Sequence, residues 1–286
     1  MARRTLPGLC AALLAAALVG TLALTGPAPA GAAPSASDSA RPAATTTGAP
    51  AERRTRADVL KRNKLYRLPA MTSAGCAAAS TVPLDTSADL LAYYRSVLPC
   101  LDAAWKGDWK KLRKAGYRFQ APKLKVHDGS VRTKCGTPGA LSFYCPANHT
   151  IYMYDAEIVG PWNSYAGDDY AHGSIRLAAT HTLAHEYGHH VQTLVGMFDA
   201  IGARYRGNLE RRAELQASCL GNVFLSSQRD AYPILADYAQ HPEYWRYIEV
   251  ANHGSVPSQA YWTDQGYATA TPGACNTFMA PAAQVS

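Results

Sequence analysis

The stretch from Ser174 to Gly196 constrains the fold most. Leu177, Ala178, Leu183, Ala184, Tyr187, Val191, Leu194 and Val195 occupy most of a helical circumference there, which predicts one long, largely buried helix with Tyr187 in the core. Ser174 is a good N-cap residue, and Gly196 a natural stop. Inside this helix stand His185, Glu186 and His189. Four residues turn about 400°, so the two histidines project from one face, about 6 Å apart. Their imidazoles can reach one tetrahedral Zn2+ at roughly 2.0–2.1 Å. Glu186 lies about 100° further round, placed to hold a water beside the metal rather than to bind it. H-E-x-x-H is short and recurs by chance. A buried histidine pair flanking a buried carboxylate, however, is costly unless something satisfies it.

A third ligand must come from elsewhere. Position 195, six past His189, is Val, so the H-E-x-x-H-x-x-G-x-x-H arrangement is excluded. A second helix is expected from near Asn208 through Leu215, Leu220 and Phe224, and it carries Glu210 and Glu214 one turn apart. Position alone leaves these two even. His181, one turn before His185, is a rival better suited to packing or to bonding behind the ligands.

The rest of the chain frames this centre. Arg3 and Arg4, an apolar run from Leu9 to Leu24, and the small-residue sites Ala28-Pro29-Ala30 and Ala30-Gly31-Ala32 read as a signal peptide over 1–32, cleaved near 30–32. Residues 33–55 are expected to be a flexible linker, poor in large apolar side chains. That leaves 56–286 as the working domain, exported to a secreted or extracytoplasmic location. The formal charge is +7, and removing Arg3 and Arg4 leaves +5. Arg53, Arg54, Arg56, Lys61, Arg62, Lys64 and Arg67 against Glu52 and Asp58 account for all of it, so no basic face for nucleic acid spreads over the domain. The local patch 53–67 reads as a solvated helix start, a contact for an acidic envelope polymer, or part of a cleavable pro-segment.

Six cysteines follow the leader: Cys76, Cys100, Cys135, Cys145, Cys219 and Cys275. An even count in an exported chain points to disulfides, and no Cys-x-x-Cys pair offers a cysteine zinc site. Cys135 and Cys145 flank a Gly-Thr-Pro-Gly turn and are expected to pair. Leu90, Leu91, Tyr94, Val97, Leu98, Leu101 and Trp105 predict helix over 85–114, broken into pieces by Pro99 and Gly107. Alternation from Tyr117 to Val126 and from Ile151 to Asp155 predicts short strands, residues 156–173 a loop with Asp168-Asp169 solvated, and 230–250 a third helix. The fold class is therefore α+β, a small sheet followed by a mainly helical, disulfide-stapled half.

Five segments together resemble the bacterial neutral zinc metallopeptidases, H-E-x-x-H peptidases with a downstream Glu ligand. They are Cys135-Gly136; Phe143-Tyr144-Cys145-Pro146-Ala147 with Ile151-Tyr152; Ala184 to Gln192; Glu214-Leu215-Gln216-Ala217 with Cys219; and His253-Gly254 with Cys275-Asn276-Thr277-Phe278. The resemblance spans roughly 130–280 and implies a zincin-like helical half with Glu214, not Glu210, as third ligand. The family carries Asp four residues after that Glu, where this chain has Ser218. An Asp there would accept a proton from a ligand histidine; a hydroxyl accepts it without charge, and losing such a partner typically costs 10–100-fold in metal affinity or activity. Ser255 to Trp262 and Asn276 also depart from the family run.

These readings predict a secreted zinc metalloendopeptidase acting on peptide or protein substrates. Glu186 is the expected general base. His253, in a loop C-terminal to the ligands, is the candidate donor to the tetrahedral oxyanion. Ser218 motivates the alternative of a zinc-binding but catalytically weak or inactive envelope protein. The linker and basic patch motivate a non-enzymatic surface-binding module.

Overall fold

The computed structural model describes residues 54–76, 82–229 and 252–286. The expected leader, nearly all of the expected linker, and the helix expected over 230–250 lie outside the described residues.

The linker boundary moves slightly. Arg54 donates to the Ala115 carbonyl at 2.7 Å and to the Tyr117 hydroxyl, so structure begins before residue 56. Thr55 then caps helix α1 (Arg56–Lys61), accepting from the Asp58 N–H while the Asp58 carboxylate takes the Thr55 N–H.

Helix α2 (Ser87–Arg113) is continuous through Pro99 and Gly107, contrary to the expected break. An interior proline costs about 3 kcal/mol. One face buries Leu90, Tyr93, Tyr94, Val97, Leu101, Trp105 and Leu112 completely or nearly so, each side chain contributing about 1.5–3 kcal/mol. Packing therefore outweighs the proline. The Cys76–Cys100 disulfide (Cα–Cα 5.6 Å) fastens the helix one residue beyond it.

The sheet is small: β1 (Lys123–His127), β2 (Phe143–Cys145) and β3 (Thr150–Tyr154), in the order β1-β3-β2. β1 runs parallel to β3, and β2 antiparallel to it along the other edge. Tyr117 and Phe119 precede the first strand rather than belonging to it. Phe119 packs edge-on against Trp109, centroids 5.7 Å apart. Asp155 opens a 3-10 turn, where Ser87 donates to its carboxylate. The expected Cys135–Cys145 disulfide is formed, Cα–Cα 5.7 Å, and closes the approach to β2.

The expected loop 156–173 is largely helical. α3 (Val159–Ser164) is followed by α4 (Asp169–Leu194), which begins five residues before Ser174. Asp168 is its cap, accepting from the Ala171 N–H at 3.0 Å. The first turn of α4 is Asp169, Tyr170, Ala171 and His172, too polar to show apolar periodicity, and only the cap marks it.

α4 lies against α6 (Asn208–Ser227), with the short α5 (Met197–Ile201) between them in sequence; α6 in turn packs on α7 (Val256–Thr269). The helices meet backbone to backbone. A Cβ added at Gly188 would stand 2.6 Å from the Ala217 carbonyl oxygen, and one at Gly266 would overlap the Cys219 carbonyl. Side chains elsewhere on α6 are thereby drawn to within bonding reach of α4. Cys219 and Cys275 (Cα–Cα 5.5 Å) staple α6 to the segment after α7 across 56 residues, worth about 4 kcal/mol in the chain-entropy model. One buried apolar cluster runs from Leu60 to Val285. Among the described residues no helix is long and apolar enough to cross a membrane.

Candidate metal centre

α4 delivers His185, Glu186 and His189 to its buried interface with α6, and α6 delivers Glu214 and Ser218. Glu214 Oε2 lies 3.2 Å from His185 Nε2 and 2.9 Å from His189 Nε2. The two imidazoles stand at right angles with centroids 4.7 Å apart. Glu210, one turn earlier, is only half-buried and faces Asn252 Nδ2 at 3.4 Å, with no bond to His185 or His189 among the described residues. His181 is buried with its ring 6.3 Å from that of His185, and desolvation holds it neutral.

Each α4 histidine is oriented from behind. Ser218 Oγ lies 2.9 Å from His185 Nδ1. Gln192 Oε1 lies 2.9 Å from His189 Nδ1, and the Gln192 amide is turned by donating to the Ala213 carbonyl at 2.8 Å. That carbonyl only accepts, so Gln192 Oε1 takes the Nδ1 proton, which leaves His189 Nε2 as the atom that would offer a lone pair to a metal. Gln216 continues the chain, accepting from Gln192 and donating to the Tyr66 hydroxyl and the Cys275 carbonyl. Tyr205 donates to Glu214 Oε1 and fixes the carboxylate from its far side.

His253 enters from the loop before α7. Its Nε2 lies 3.2 Å from Glu214 Oε2, its Nδ1 2.8 Å from Asn252 Oδ1, and its ring lies over His185 with planes 27° apart. Sequence reasoning missed Gln192, Tyr205 and Asn252. Gln192 had a signal, three residues beyond His189 on the same helical face. Tyr205 and Asn252 had none.

Electrostatics divide the two carboxylates. Burial alone would raise the pKa of Glu214, but the imidazoles of His189, His253 and His185 gathered on its Oε2 overcome it and hold the group well below the usual range. For Glu186 the balance goes the other way: burial, with the Glu214 and Glu157 charges, outweighs His189 and the Tyr144 N–H and pushes it up to about 8, and its Oε2 has no hydrogen-bond partner. Tyr187 is wholly buried and donates to Asp102 at 2.7 Å, a core residue as expected.

The donor set fits zinc. Imidazole nitrogens and a carboxylate oxygen converge in a buried pocket: the ligand atoms of His185, Glu214 and His253 lie within 4.8 Å of one another, and His189 Nε2 joins this set through Glu214 Oε2 at 2.9 Å. An orphaned Glu186 oxygen beside such a cluster wants a proton-bearing partner, as a water held there would be.

Comparison with known proteins places the chain in a family. The sequence profile of the family described as "Putative neutral zinc metallopeptidase" matches residues 64–238, starting and ending earlier than the segments singled out in the sequence and leaving His253 outside it. Uncharacterized protein YpfJ of Escherichia coli (strain K12) is 28% identical over 227 residues, covering 70% of this chain and 75% of that protein. Uncharacterized protein Rv2575 of Mycobacterium tuberculosis (strain ATCC 25618 / H37Rv) is 28% identical over 212 residues, covering 60% and 66%. No solved structure matches. The chain belongs to the neutral zinc metallopeptidase family.

Proposed function

We propose that this chain is an exported zinc-dependent peptidase that hydrolyses peptide bonds in peptide or protein substrates. The observation that carries the reading is the pairing of one ionised carboxylate, Glu214, against the histidines with a second, Glu186, at their side, whose Oε2 has no hydrogen-bond partner. His185, His189 and Glu214 hold the metal, in a zincin-like helical half. Zinc supplies a Lewis acid and lowers the pKa of a coordinated water to about 7. Glu186 accepts the proton of the attacking water and passes it to the leaving amine, and burial, which raises its pKa above the ordinary carboxylate range, makes it a stronger base for that transfer. Ser218 and Gln192 fix the ring orientations, and Tyr205 fixes Glu214. His253 reaches the centre, as its expected role as oxyanion donor requires. With its Nδ1 proton on Asn252, however, Nε2 can donate only after gaining a second proton.

A weakly active zinc protein is the second reading. It is favoured by the neutral acceptors behind both α4 histidines, where a carboxylate would make the ligand more basic. Zinc content with casein hydrolysis, with and without chelator, tests both. About one zinc per chain and chelator-sensitive hydrolysis support the peptidase; zinc without hydrolysis supports the second reading; no zinc sinks both.

Location and partners are separate proposals. Three disulfides favour an oxidising, extracytoplasmic compartment. Arg54, Lys64 and Arg67 meet Lys111 of α2 and Lys114 just beyond its end around a cavity of ≈ 360 Å³, so the expected contact for an acidic envelope polymer gains a second wall. Retention on an anionic polysaccharide column that is unchanged in an Arg54→Ala/Lys64→Ala/Lys111→Ala variant would refute it.

A further inference from the structure

Three imidazoles present Nε2 to one point. His185, His189 and His253 place that atom 3.2, 2.9 and 3.2 Å from Glu214 Oε2. In each ring the other nitrogen meets a neutral oxygen: Ser218 Oγ at 2.9 Å, Gln192 Oε1 at 2.9 Å and Asn252 Oδ1 at 2.8 Å. The Asn252 amide is turned by its Nδ2, which faces the acceptor-only Glu210 carboxylate at 3.4 Å. Its Oδ1 therefore takes the Nδ1 proton of His253, and Nε2 keeps the lone pair that a ligand histidine uses. His253 is also the member that faces solvent: its side chain is 29% exposed, against 7% for His185 and 8% for His189.

We infer that His253 is a fourth protein ligand, which closes the metal centre on its solvent side in the resting protein. This rests on the proposed zinc centre and adds its regulation. Catalytic zinc sites keep one position open beside three protein ligands, whereas four-ligand tetrahedral sites are closed. With His253 joined to His185, His189 and Glu214, four protein ligands would leave no open position, so a substrate would reach the metal only when His253 leaves. The backbone beyond it is fastened, because the Ser255 N–H donates to the Ser286 carbonyl at 2.7 Å. Release is then a rotation of the His253 side chain away from the ring of His185.

The test is X-ray absorption at the zinc edge, with zinc affinity measured on the same full-chain protein. Wild type should show three coordinated imidazoles and His253→Ala two, with stoichiometric zinc retained and affinity weaker by at least about tenfold. Added imidazole should restore the third ring to the spectrum of His253→Ala. His253→Phe keeps the stacking on His185 without a nitrogen and should behave like His253→Ala, which separates ligation from packing. Two imidazoles in wild type, or unchanged affinity in both variants, overturns the inference while leaving the zinc centre standing. A wild-type chain without zinc overturns both.

Discussion

Replacing Gly188 by Ala probes the helix contact that assembles the centre. The new Cβ would lie 2.6 Å from the Ala217 carbonyl oxygen and 2.8 Å from its Cα, about 0.8 Å short of the 3.4 Å at which ordinary contact begins. Both obstacles are backbone, so no side chain can rotate aside and α6 must move. Such overpacking costs about 1–3 kcal/mol, and here it belongs at the upper end. Alanine's better helix propensity returns about 1 kcal/mol. The net loss of about 1–2 kcal/mol lowers Tm by roughly 2–8 °C for a chain of this size. The shift also carries Glu214 and Ser218 away from His185 and His189, and misplacements near 1 Å cost on the order of 10²-fold in catalysis. Differential scanning calorimetry and zinc titration should report both losses together. Gly107→Ala is the control: it sits exposed within α2 with nothing within 4 Å of its Cβ, so stability should rise by up to about 1 kcal/mol. A Gly188→Ala protein as stable as wild type, with unchanged zinc affinity, would refute the close approach of α4 and α6.

Three further outcomes are expected. Glu214→Ala should lose zinc affinity and Glu210→Ala should keep it, as equilibrium dialysis will show; the reverse result would move the third ligand by one turn. Ser218→Asp should bind zinc more tightly, because a carboxylate 2.9 Å behind His185 makes that ring a stronger donor. Equal or weaker binding with the fold intact would mean that the pocket does not tolerate the charge. Asp108 is buried, its Oδ2 has no partner, and desolvation raises its pKa to about 6. A raised carboxylate pKa contributes stability below about 4 that is lost as pH rises through 6. Asp108→Asn should therefore match wild type near pH 4 and exceed it at pH 7 in urea melts; parallel profiles would contradict this.

The sequence carried the centre further than the frame around it. α4 was legible because its apolar residues surround the helix, and its two histidines four residues apart needed no tertiary knowledge to share a face. Glu214 was not separable from Glu210 by spacing, since both sit on one face of α6; the family resemblance favoured it, and the structure places its Oε2 against the histidines. The continuity of α2 was hidden because a proline's local cost is visible in sequence while the burial that offsets it is not. The first turn of α4 was hidden for the opposite reason, since its polar residues follow no period and only Asp168 announces it. Cys135–Cys145 could be paired because a short turn joins them. Cys76–Cys100 and Cys219–Cys275 depend on helices meeting in space. Tyr205 and Asn252 act on the centre from loops, where residue type alone carries no positional information.

Glu186 tests the central claim most directly. Metal content and casein turnover should be measured side by side on wild type and Glu186→Gln, which keeps the side chain's shape and removes its base. Zinc should stay at the wild-type level while hydrolysis falls by at least about 10²-fold. Hydrolysis unchanged in Glu186→Gln would contradict the claim, because the cleavage would then proceed without the one carboxylate positioned to drive it.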